Sequence, residues 1–292
     1  MQVTLARKLV AEGVGTALLV AAIVGSGIMA QSLAKDPAIV LLCNALATGG
    51  ALIAILLMFG PVSGAQLNPV LTVLMAATRD ITPRVAAGYI VVQLTGAIAG
   101  AMIANTMFGL EPISLSTTMR AGTPQLLSEA VATFGLVGVV IAVGRTRSAI
   151  APLAVAAYIT AAYWFTASTS FANPAVTVGR ALSNSYAGIR PADVLGFVMA
   201  QAIGAMVGGI LFTWLVPTVR VDGIDGPANS VHRSRDHQAK AAVTTAPPRV
   251  GATATGNAVS ERDTRYTVAL AASATPPATS PTIINVSARA PR

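Results

Sequence analysis

The sequence predicts an all-α membrane protein in which six transmembrane helices and two half-helices form inverted repeats. Three observations carry this prediction. The chain of 292 residues is 54% hydrophobic and only 10% charged, with a mean hydropathy of +0.68, where a soluble domain carries about a quarter of its residues charged. Six apolar stretches approach the length of about 20 residues that crosses a bilayer. Two further apolar segments are too short to cross, and both open on Asn-Pro at matching places of an internal repeat. Such a chain takes the lipid bilayer as its solvent.

In chain order the spans are expected at residues 10–32, 38–59, 85–108, 126–143, 150–167 and 192–216, with short segments at 68–77 and 173–182. The first span follows Arg7 and Lys8 and precedes small residues near Ala30 and Ala34, as a signal peptide would. Its apolar length, and its part in the repeat, mark it as a retained helix. Lys and Arg in the short flanks set the orientation. With the amino terminus inside, Arg7, Lys8, Arg79, Arg84, Arg145, Arg147 and Arg220 face the cytoplasm, against Lys35, Arg120, Arg180 and Arg190 outside. The bias places both termini in the cytoplasm of a multi-pass cell-membrane protein.

The formal net charge is +8, and its location decides what it means. From Thr218 to Arg292 nine Arg or Lys stand against five acids, scattered among Ala, Thr, Ser and Pro. Low-complexity text without aromatic interleaving reads as a solvated tail and not as a nucleic-acid arm. Residues 1–217 are therefore expected to form the transmembrane unit, with half-repeats 7–110 and 126–217, and 218–292 a disordered cytoplasmic tail. Cys43, the one cysteine, lies in an apolar run and is assigned no role. His232 and His237 both lie in the tail, which leaves metal binding and His-dependent catalysis in the membrane unsupported. No cofactor is expected.

The repeat carries most of the prediction. EGVGTALLV, from Glu12, answers to EAVATFGLV, from Glu129, at an offset of 117 residues. QLTGAIAGAM, from Gln93, answers to QAIGAMVGGI, from Gln201, at an offset of 108. Between them, QLNPVLTVLMAATR, from Gln66, answers to FANPAVTVGRALS, from Phe171, at an offset of 105. Three spans separate equivalent points, and an odd number inverts the second copy relative to the membrane. The two short segments then enter from opposite sides and meet near the midplane. Pro at a first helical position costs nothing, because its missing N–H would be unpaired there anyway, and the preceding Asn can cap the helix. Two positive helix ends and two Asn amides would orient a passing hydroxyl solute by its oxygen and repel cations. Gly96–Gly100 and Gly204–Gly208 read as close helix contacts.

ExxGT in the first span, SGAxLNPxxT in the first loop, QxxGAxxG in the third and sixth spans, and NPAVT in the second loop together resemble the aquaporin and glycerol-facilitator family, over about residues 7–217. The resemblance implies a passive channel, commonly a homotetramer, with a pore motif at Asn68, Pro69, Val70 and Asn173, Pro174, Ala175. The family's first loop typically ends in Ala where this chain has Val70, which adds two methyls beside the pore. The family commonly has His where Gln66 stands. The resemblance gives the intramembrane carboxylates Glu12 and Glu129 a loop-supporting role together with Gln66, bonding the backbone near the Asn-Pro segments, which is favoured over proton relay. It also implies a four-residue filter, with Arg normally three positions after the second Asn. Counted without gaps, the filter falls on Thr48, Ala161, Ser170 and Val176. Three small residues and a Val predict a wide ring without fixed charge.

Such a ring points to small neutral solutes: polyols, urea-like molecules and undissociated metalloid acids. The text around Asn173 also resembles bacterial channels linked to arsenic detoxification, some of which carry a reductase domain that this Cys-free tail cannot supply. A water channel and a non-conducting membrane structural protein are the alternatives. A membrane-bound enzyme would need a nucleophile–base pair or metal cluster, for which the spans offer only two separated Glu residues.

Overall fold

The computed structural model describes residues 3–217, so the tail expected at 218–292 lies outside the described residues. The described chain is helical throughout: α1 (Leu5–Leu33), α2 (Pro37–Ser63), α3 (Pro69–Ala77), α4 (Pro83–Met107), α5 (Thr123–Thr146), α6 (Ala151–Phe165), α7 (Pro174–Arg180) and α8 (Pro191–Leu215). A single 3₁₀ turn, Ser148–Ile150, precedes α6. Six of these helices are long and apolar enough to cross a membrane. α3 and α7, at nine and seven residues, are not.

Proline sets where the helices begin. α2, α3, α4, α7 and α8 each start on a Pro, whose fixed φ suits the first turn and whose absent N–H would go unpaired there. Asp36, Asn68, Thr82 and Asn173 stand just before and accept backbone N–H groups of the first turn. Hydropathy alone starts α5 three residues late, at 126 instead of Thr123, because its first turn is polar.

Each contact between helices in the first half recurs in the second. α1 packs on α2 and α4 as α5 packs on α6 and α8, and α2 packs against α6 across the halves. The half-helices cross over: α3 touches α4 and α8, α7 touches α8 and α4. α1 and α4 approach until their backbones touch. A Cβ added at Gly96 would lie 2.3 Å from the Gly13 carbonyl oxygen, and one at Gly204 would lie 2.2 Å from that of Ala130. Only glycine permits that approach, and the closeness gains packing that apolar side chains facing lipid cannot. Leu33, Leu195, Ile210 and Trp214 project outward and are exposed, as suits helices solvated by acyl chains.

Candidate functional site

Before each half-helix the chain runs as an irregular loop at membrane depth, where unpaired backbone N–H groups are costly. One buried carboxylate answers each loop. Glu12 Oε1 accepts from the Ser63 hydroxyl (2.7 Å) and Gln66 N (2.9 Å), and Oε2 from Leu67 N (2.7 Å) and Gln93 Nε2 (2.8 Å). Glu129 accepts from Phe171 N and Ala172 N, both at 2.9 Å, and from Gln201 Nε2 at 2.6 Å. Gln93 and Gln201 donate in turn to Thr72 and Thr177 of the half-helices. Both glutamates are wholly buried. The bonds hold the backbone in conformations that L residues avoid: Ala65 and Leu67 have φ of 44° and 50°, Ser170 and Ala172 of 47° and 48°. Each left-handed residue costs on the order of 1 kcal/mol, which the carboxylate bonds offset.

The loops aim each asparagine at the backbone of the other's loop. Asn68 Nδ2 donates to the Ala172 carbonyl (2.8 Å) and Asn173 Nδ2 to the Leu67 carbonyl (2.7 Å). Their Oδ1 atoms are occupied as caps, accepting Val70 N at 3.1 Å, and Ala175 N and Val176 N at 2.9 and 3.3 Å. An amide has two N–H groups, so each Asn retains one. Both residues line a cavity of about 480 Å³.

The cavity extends alongside α6. Gly144, Ser148 and Ala151 line it where α6 begins, and Tyr163, Ser170 and Arg180 where α6 ends, with Asn68 and Asn173 between. Leu19, Ile23, Leu52, Leu136 and Ile159 form an apolar wall. Gln66, the asparagines, Ser170 and Arg180 supply polar groups.

Of the four expected filter residues, Thr48, Ser170 and Val176 line the cavity. Ala161 does not: it is exposed on the outside of α6. The lining face of α6 is Pro152, Val155, Ile159 and Tyr163, the spacing of one helical stripe. Two residues from Tyr163 turn a helix by about 200°, which puts Ala161 on the far side. Tyr163 lines the cavity from α6 instead, its hydroxyl 3.1 Å from that of Thr48. Val70 is also corrected. Its methyls pack in the buried core, not against the cavity, because only Asn68 and Leu71 of that turn face inward.

A charged residue outside the expected ring also belongs to the lining. Arg180 at the end of α7, counted from the sequence as an outer flanking charge, is 1% exposed and lines the cavity. Its Nε donates to the Ala187 carbonyl, and its guanidinium lies 3.4 Å from the centre of the Phe171 ring. Nη1 and Nη2 have no partner among the described residues, nor do Ser170 Oγ and Gln66 Oε1. Arg120 contrasts with it. It also sits over Phe171, at 5.1 Å, but donates to the carbonyls of Gly188, Ser168 and Tyr186 and so ties together the loops on either side of α7. Burial holds the Arg120 guanidinium below its ordinary value, against the opposing pull of Tyr186, Glu129 and Tyr163. The sequence signal for Arg180 was its spacing, four residues after Val176 and so on nearly the same helical face.

Similarity to known proteins agrees with this geometry. Residues 1–170 match the profile described as "Major intrinsic protein". The chain is 48% identical over 216 residues to aquaglyceroporin AqpS of Rhizobium meliloti (strain 1021), covering 74% of this chain and 93% of that protein. It is 30% identical over 218 residues to aquaporin NIP6-1 of Arabidopsis thaliana, covering 72% and 69%. In fold, the aquaglyceroporin from Plasmodium falciparum superposes with a TM-score of 0.59 at 16% identity, over 78% of this chain and 100% of that one. By its profile match, its relatives and its six spans with two half-helices, the chain belongs to the major intrinsic protein family.

Proposed function

We propose that the chain is a passive transmembrane channel for small uncharged solutes, including polyols such as glycerol and neutral metalloid acids such as arsenite. The observation that carries this reading is the cavity threaded between Asn68 and Asn173, with one free N–H on each amide. A hydroxyl solute presents oxygens to these donors and its carbon side to Leu19, Ile23 and Leu136 across the lumen. An ion would lose its hydration there with few groups to replace it. Glycerol and arsenous acid share the needed shape, three hydroxyls on a compact neutral centre. The relative named an aquaglyceroporin supports the polyol part of the reading.

As for its setting, the channel sits in the cell membrane with both termini cytoplasmic, and assembles as a homotetramer like members of its family. The test is swelling of liposomes containing the purified chain in gradients of glycerol or arsenite. Flux well above that of empty liposomes is expected, and flux equal to theirs would overturn the reading. Val176→Arg, which places a long cation in the lumen, is expected to cut both fluxes sharply.

A further inference from the structure

We propose that Gly60 and Gly144 set the width of the cavity where α6 begins, and that this end sorts linear polyols by their bulk. The inference rests on the channel reading above and deepens it. Along α2 the lining residues Thr48, Leu52, Leu56 and Gly60 recur every four residues, and along α5 Leu136, Val140 and Gly144 do the same. Each set therefore shares one helical face. The six spans alternate in direction, so α2 and α5 both end on the side where α6 begins. Both stripes pass from branched side chains to a glycine at that end, where Ser148 and Ala151 also line the cavity.

Glycine is the poorest helix former after proline, and a helix keeps one where the backbone or the packing demands it. Neither demand applies here. The glycines with positive φ are Gly64, Gly109 and Gly122, so Gly60 and Gly144 hold a backbone that any L residue can adopt. Close packing explains Gly96 and Gly204, whose added Cβ would strike a carbonyl oxygen, but one added at Gly60 or Gly144 meets nothing within 4 Å. The empty space borders the lumen at both positions. Gly50 has equally empty surroundings but does not line the cavity, which makes it the control. Arg145, next to Gly144, donates to the carbonyls of Thr213 and Val216 at the end of α8. That anchor holds the last turn of α5 in place and keeps the gap at Gly144 from closing.

The experiment measures flux of ethylene glycol, glycerol and erythritol into liposomes holding the full chain with Gly144→Ala, Gly144→Leu, Gly60→Leu or Gly50→Leu. The readout is the ratio of fluxes between successive members of the series, because loss of folded protein lowers all three alike. Gly144→Leu is expected to cut passage of the larger member several-fold more than that of the smaller, with Gly144→Ala between it and wild type. Gly60→Leu should act in the same direction, and Gly50→Leu should leave the ratios as in wild type. Ratios unchanged in both Gly144→Leu and Gly60→Leu, or shifted as far by Gly50→Leu, would overturn the proposal. Should Gly60→Leu fail to elute as a folded species in detergent, since it precedes Pro61 inside α2, the series at position 144 decides. Passage of none of the three solutes through wild type above empty liposomes would instead overturn the channel reading, and this inference with it.

Discussion

Glu129 shows what a single side chain does in this fold. Its carboxylate is the acceptor for Phe171 N and Ala172 N, at a depth where water cannot replace it. Glu129→Ala leaves both N–H groups unpaired, at about 1–3 kcal/mol each. It also releases the left-handed backbone of Ser170 and Ala172. Glu129→Gln retains one carbonyl acceptor and is expected to be milder. Thermal loss of helical signal in detergent should rank wild type above Glu129→Gln and that above Glu129→Ala, and the same order is expected at Glu12. A reversed order would mean that the carboxylate is no prop for the loop. The glutamates were legible in the sequence because ionisable residues in apolar runs are conspicuous and both lie at repeat-equivalent places. Tyr163 and Arg180 were not legible. Counting back from Asn173 to helix α6 passes through residues 166–173, which have no helical period, and an error of two residues there turns the face by about 200°. Arg180 read as a flanking charge because α7 ends on it, and its burial depends on the loop carrying Ala187 and on the Phe171 ring closing over that end.

At the scale of elements, the close pair α1–α4 and its counterpart α5–α8 depend on missing side chains. Gly96→Ala would put a methyl 2.3 Å from the Gly13 carbonyl oxygen, backbone that cannot move aside without separating the helices. Overpacking of this kind costs roughly 1–3 kcal/mol. Gly50, on α2, has nothing within 4 Å of an added Cβ, and Gly50→Ala is expected to be neutral or slightly stabilising through its better helix propensity. Denaturant titrations of the two variants in mild detergent should separate them. Equal midpoints would show that α4 can slide on α1. The glycines were visible as small-residue motifs in the sequence, and so were the half-helix starts at the two Asn-Pro pairs; the structure shows Asp36-Pro37 and Thr82-Pro83 coupling a cap with a first-turn proline in the same way. Starts marked only by hydropathy, as at α5, were less exact because a polar first turn hides them.

The whole molecule is held as a pair of halves, and the three repeat offsets of the sequence reappear as three layers of contacts. Glu12 with Gln93 and Thr72 matches Glu129 with Gln201 and Thr177, and the two loops bond each other through Asn68 to Ala172 and Asn173 to Leu67. The last pair crosses between halves, so each asparagine supports the loop that carries the other. Asn68→Ala frees the Ala172 carbonyl and uncaps α3, and Asn173→Ala does the same for the Leu67 carbonyl and α7. Were the halves independent units, the two losses would add. Because each variant already loosens the backbone that positions the remaining Asn, the double variant is expected to lose less stability than the sum of the singles, with a coupling of about 0.5–3 kcal/mol. A double-mutant cycle on unfolding in detergent measures this directly. Strict additivity would mean that the reciprocal bonds contribute nothing to holding the halves together, and that packing of α3 and α7 against α4 and α8 suffices.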